Sequence, residues 1–172
     1  MKIVLSILAL AFTAIPAVTS AQTGEGPVIA RTYPSPTAFI ASTVTVPAGS
    51  ELIFLSGQLP DVADATAPAG SVAAYGDTAT QAASTFAKIR KLLETRGLTM
   101  GDVVSMTVYL MAAPGSERMD FAGMMSAYNE YFGTAEQPNR PSRSTVQVAG
   151  LAGPGFLVEI EVTAARVSLP SD

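Results

Sequence analysis

The 172-residue chain contains no cysteine, no histidine and no tryptophan. Without cysteine there is no disulfide, no thiolate nucleophile and no cysteine-type zinc site; without histidine there is no Ser-His triad. Charge is also sparse, and its balance is acidic, with 10 basic residues against 14 acidic ones. That balance lacks the basic footprint that sequence-independent nucleic-acid binding requires. The chain shows no internal repeat, P-loop, dinucleotide fingerprint or low-complexity tract.

The long hydrophobic run that does occur is at the start. Residues 1–21, MKIVLSILALAFTAIPAVTSA, place Lys2 before an apolar stretch and end on small residues at Thr19 and Ala21. This is the pattern of a secretory signal peptide, and the run is too short for a comfortable membrane span. Cleavage after Ala21, export to the periplasm or medium, and no stable membrane association afterwards are expected. Without Lys2, 9 basic residues face 14 acidic ones. Residues 22–37 contain Gly and Pro and are weakly patterned, which reads as a flexible lead-in. One domain, residues 38–168, follows; it is long enough to bury its own core.

Residues 38–46 (AFIASTVTV) are β-branched and suit an edge strand ended by Pro47 and Gly49, and residues 52–56 suit a short strand. Residues 58–74 read as a loop. Asp77 offers an N-cap to a helix carrying Ala82, Phe86, Ile89 and Leu93 at helical spacing, with Gly97 as its stop. Residues 102–111 (DVVSMTVYLM) alternate between two partly apolar faces, which predicts a strand covered on both sides. A second helix is expected from an N-cap at Ser116 through Phe121, Met124, Met125, Tyr128 and Phe132. Its methionines read as core filler.

The most informative stretch is residues 141–161, PSRSTVQVAGLAGPGFLVEIE. Two alternating segments joined by Gly150, Gly153, Pro154 and Gly155 read as a hairpin. Arg143, Thr145 and Gln147 share one face of the first strand, opposite Val146 and Val148. In the second, Val158, Ile160 and Val162 share a face, and Glu159 and Glu161 point away. The hairpin would thus present a guanidinium and two carboxylates side by side, opposite the apolar stripe. From pattern alone Arg143 could form a structural salt bridge to Glu159 or Glu161, make a contact between subunits, or bind a ligand. The element order predicts an α+β fold, a mainly antiparallel sheet with two helices packed on one face.

The P-S-R-S-x-V pattern followed by V-E-I-E, together with LIFLSGQLP at residues 52–60, resembles the Rid/YjgF family of reactive-intermediate deaminases over residues 38–167. The resemblance implies a homotrimer whose clefts lie between adjacent subunits. It implies that Arg143 binds the substrate carboxylate and that Glu159 is the acid/base, with Glu161 as the alternative. Ser56 and Gly57 would border the pocket. Thr145 stands where many members carry Cys, and Met125 where members often carry Asn. Residues 37–46 hold no counterpart of the usual N-terminal Tyr. The implied reaction is hydrolysis of 2-imino acids and their enamine tautomers to 2-keto acids and ammonia, with no metal and no organic cofactor. The alternative is a non-catalytic module that binds small carboxylates. An endoribonuclease activity, suggested for some relatives, fits poorly with the acidic balance and the signal peptide.

Overall fold

Alternating strands and two amphipathic helices form the framework of the computed structural model, which describes residues 27–168. The expected signal peptide lies outside the described residues. Strand β1 (Ala30–Thr32) pairs with β2 (Thr43–Thr45) in a small antiparallel sheet. Then follow β3 (Glu51–Gln58), a short helix α1 (Val72–Tyr75), α2 (Thr78–Glu94), β4 (Val103–Leu110), α3 (Phe121–Tyr131), β5 (Ser142–Gln147) and β6 (Val158–Arg166).

The main sheet has the order β3-β6-β4-β5. Strand β6 is antiparallel to both of its neighbours, whereas β4 and β5 are parallel. Strands β3, β4 and β5 therefore run in one direction, and α2 and α3 are the crossovers that connect them. Both crossovers step the same way across the sheet, so right-handed connections put both helices on one face. There Phe86, Ile89 and Leu93 of α2 and Met124 and Tyr128 of α3 pack on Met106, Val108, Val158 and Ile160. The α+β architecture expected from the element order is the observed one.

The strand pairing at the end of the chain differs from expectation. Strands β5 and β6 do not form a hairpin, because β4 lies between them. The connecting segment runs past the end of β4, where Val148 N donates to Leu110 O and Met111 N donates to Leu157 O, both at 2.9 Å. Gln81, fully buried on α2, anchors this segment. Its Nε2 donates to Gly76 O at 2.9 Å and Gly155 O at 3.0 Å, and Leu157 N donates to its Oε1 at 2.7 Å. A Cβ on Gly155 would lie 2.6 Å from the carbonyl oxygens of Gly70 and Ser71, so only glycine permits that backbone approach.

Other elements shift less. The expected 38–46 strand shrinks to β2, and its partner β1 lies within the stretch read as a flexible lead-in. Helix α2 is capped by Asp77 as expected, its carboxylate accepting from Thr80 N at 2.9 Å. Helix α3 is capped by Asp120, which accepts from Gly123 N at 2.8 Å; Ser116 instead closes a turn onto Ala113 O. A register irregularity between Val103 and Ser105 turns Val103 inward. The uncovered face of β4 is thus Ser105, Thr107 and Tyr109, more polar than the two-sided apolar reading of the sequence.

Candidate active site

Strand register decides where Arg143 points. It pairs with Met106 and Thr145 with Val108, while Met106 in turn pairs with Val162. Residues paired across a sheet share a face, so Arg143 and Thr145 lie on the helix-covered side. Helix α3 receives the guanidinium with Phe121, Met125 and Tyr128, which share a face at i, i+4 and i+7. Its Cζ stands 4.3 Å from the Tyr128 ring centroid and 5.8 Å from that of Phe121. Nη2 donates to Met125 Sδ at 3.2 Å.

Arg143 Nη1 and Thr145 Oγ1 are buried without a hydrogen-bond partner among the described residues. No carboxylate pairs with Arg143 there; the ion pairs are Lys88–Asp61, Arg90–Glu94 and Arg166–Glu51. Burial lowers the pKa of Arg143, and the nearby Tyr128 opposes that shift. Burial also pushes the Tyr128 hydroxyl up to about 12, with Arg143 and Arg140 pulling it down. That hydroxyl donates to Phe39 O at 2.8 Å. A desolvated cation left without an anion costs several kcal/mol, which cation–π contacts of about 2 kcal/mol each offset only in part. The site is electrostatically incomplete.

The carboxylates occupy the opposite, uncovered face. Glu159 pairs with Tyr109 and Glu161 with Thr107. Tyr109 Oη donates to Glu161 Oε2 at 3.0 Å, a bond that raises the tyrosine's pKa. Glu159 makes no side-chain hydrogen bond among the described residues. It lies instead over Gly57, where β3 leaves regular register between Leu55 and Gln58. A Cβ on Gly57 would overlap Glu159 Oε1. Ser56, beside it, is exposed, and its carbonyl accepts from Gln58 Nε2 at 2.9 Å. A shallow cavity of about 300 Å³ on this face is lined in part by Phe54, Ser56, Ser105, Thr107 and Glu161.

The five expected site residues therefore fall into two groups. Ser56, Gly57 and Glu159 come together at the β3–β6 pair, and Arg143 and Thr145 at the β5 edge. The groups are separated by about 10 Å of sheet, two strand spacings, and face opposite sides. The expected side-by-side display of Arg143 with Glu159 and Glu161 is corrected here. Its premise was a β5–β6 hairpin, and the intervening β4 removes it.

A family model described as Endoribonuclease L-PSP matches residues 37–166. The chain belongs to the Rid/YjgF family. A RutC family protein of Haemophilus influenzae is 36% identical over 115 residues, 67% of this chain and 79% of its own. The 2-iminobutanoate/2-iminopropanoate deaminase of Escherichia coli K12 is 33% identical over 115 residues, 67% of this chain and 80% of its own. Among solved structures, E. coli TdcF with bound serine is 31% identical, covers 71% of this chain and 85% of its own, and superposes with a TM-score of 0.53. The E. coli YjgF product gives 31% identity, the same coverage and a TM-score of 0.51.

Within this Rid/YjgF chain, the sequence pointed to Arg143 but not to its surroundings. The aromatic and thioether cradle was present as the 121-125-128 spacing, which reads equally well as core. Tyr33, upstream of residues 37–46, accepts from Arg140 N at 3.1 Å and so braces the approach to β5.

Proposed function

We propose that the protein hydrolyses 2-imino acids and their enamine tautomers to 2-keto acids and ammonia, in a cleft completed by a second copy of the chain. The observation that carries this reading is the half-buried Arg143 guanidinium, whose buried Nη1 has no partner and which has no anion among the described residues. A ligand carboxylate would supply the missing charge through paired N–H donors, which a planar fork presents and an ammonium does not. The chemistry named for the E. coli relative is of the same kind.

In the reaction, water adds to the protonated imine carbon while a carboxylate takes its proton. The same group then returns that proton to nitrogen, the C–N bond breaks as ammonia leaves, and the hydroxyl proton passes to the carboxylate as the C=O forms, ready to protonate the next imine. Glu159 is the carboxylate assigned this role, because Glu161 is engaged by Tyr109 and Glu159 is free for proton transfer. Arg143 and Glu159 face opposite sides of one sheet, so the Glu159 acting beside a given Arg143 must come from another copy. A trimer, as the family resemblance implies, would also cover the apolar side chains on the uncovered face. Phe54 there is 75% exposed, Leu52 47% and Val146 42%. Export belongs to the same proposal, supported by the basic start, apolar run and small-residue end of residues 1–21, and a mature N-terminus at Gln22 by mass spectrometry tests it.

The decisive experiment generates 2-imino acids in situ and measures ammonia and keto-acid release above the spontaneous rate, with wild type and Arg143→Ala. Turnover that collapses in Arg143→Ala supports the proposal. Keto-acid binding without turnover would leave a carboxylate-binding module, and neither binding nor turnover would refute the role of Arg143.

A further inference from the structure

We infer that the Arg143 site prefers 2-imino and 2-oxo acids with large apolar side chains, such as those derived from leucine or phenylalanine, over small ones such as pyruvate. Met125 and Phe121 set that preference. The inference rests on the reading of Arg143 as a carboxylate anchor.

Three side chains of α3 surround the guanidinium, and each offers it carbon, sulfur or a π-face. The one hydroxyl among them, on Tyr128, is committed to Phe39 O and has no proton to spare for a substrate. Met125, only 8% exposed, places its sulfur 3.2 Å from Nη2. Sulfur is a weak acceptor, so a carboxylate arriving there replaces a poor bond with a charge-assisted one. The unbranched methionine can re-pack because it has three rotatable bonds. Once displaced by the carboxylate, the thioether lies against the ligand's adjoining carbons. Phe121, 44% exposed, stands with its ring centroid 5.8 Å from the guanidinium carbon, an apolar wall that a ligand side chain can cover. Thr145 Oγ1 is the other unpartnered polar atom on this strand face, and a single hydroxyl does not make a polar subsite. Polar or very small side chains would leave the thioether and ring uncovered; a branched or aromatic one would cover both.

Calorimetric titration of the full chain with pyruvate, 2-oxobutanoate, 4-methyl-2-oxopentanoate and phenylpyruvate tests this. The two large acids are expected to bind about ten-fold or more tightly than pyruvate, the discrimination that one or a few buried carbons give. Phe121→Ala and Met125→Ala should each shrink that ratio, with thermal melts confirming the fold. Phe121 is partly exposed and decides the matter alone if Met125→Ala does not fold. Equal affinities across the series, or an unchanged ratio in the folded variants, would overturn the preference while leaving the anchor in place. Failure of every acid to bind wild type would overturn the anchor and the preference together.

Discussion

Replacing Gly57 with alanine tests the placement of Glu159 while leaving both the carboxylate and the Arg143 anchor chemically intact. A Cβ at this position would overlap Oε1 and lie 2.9 Å from Cδ and 3.1 Å from Cγ of Glu159. Gly57 is not among the glycines with positive φ, so alanine adds no backbone strain there. The conflict is with the far end of a flexible side chain. Carbon atoms at rest need about 3.5–4 Å, so the carboxylate must withdraw by roughly 1 Å. A misplacement of about 1 Å costs about a hundred-fold in rate. Stability should fall by about 1 kcal/mol, the low end of overpacking, because the half-buried glutamate can swing outward. The assay is kcat/KM for imine hydrolysis, read beside a thermal melt and keto-acid affinity, which should stay unchanged. Glu159→Gln alone should lower turnover by about two to four decades. Adding Gly57→Ala to it should lower turnover little further, since both changes act through one group. Wild-type turnover in Gly57→Ala, or an undiminished hundred-fold loss on top of Glu159→Gln, would refute the assignment.

Light scattering at micromolar concentration should give three times the mass of the mature chain; a clean monomer would remove any site shared between copies. Gln81→Leu leaves Gly76 O, Gly155 O and Leu157 N without their partner, and denaturant melts should show a loss of about 2–4 kcal/mol. A loss under about 0.5 kcal/mol, the size of an ordinary surface change, would mean that the 148–157 segment is held otherwise. The Tyr128 hydroxyl, pushed up to about 12, titrates above its unfolded value near 10, so burial favours its neutral form. That stability is complete below about pH 10 and is lost as pH rises through about 12, a decline of about 2–3 kcal/mol. Tyr128→Phe should start about 1 kcal/mol less stable through its lost bond to Phe39 O, and show a shallower alkaline decline. Equal declines in the two proteins would refute the assignment.

The elements whose residues interact over one or two turns were legible without tertiary structure. Asp77 and Gly97 bracket α2, and the alternation of Val158, Ile160 and Val162 with Glu159 and Glu161 assigns the faces of β6. These are local periodicities, set by backbone geometry. The start of α3 falls at Asp120 and not at Ser116, two residue types that cap equally well, because residues 112–119 form a turn closed by a bridge between Ala112 and Met119. Arg143, Glu159, Ser56 and Gly57 were singled out as candidates through the two motifs that carry the family resemblance. Strand partners were not. A glycine-rich connection between two alternating segments favours a hairpin on local grounds, yet here Gln81 and the close approach at Gly155 carry the chain past β4 instead. That pairing then decides the face: the alternation in β5 fits either orientation, and a shift of one residue would reverse every side chain. Opposite Met106, Arg143 turns inward to Met125 and Tyr128, away from the carboxylates that the sequence placed beside it. The sequence by itself singled out Arg143 and Glu159, the groups to which the proposed chemistry is assigned, because residue identity and short-range period suffice for that. The tertiary structure alone decided that one chain cannot bring them together, because the faces they occupy depend on long-range strand order and register.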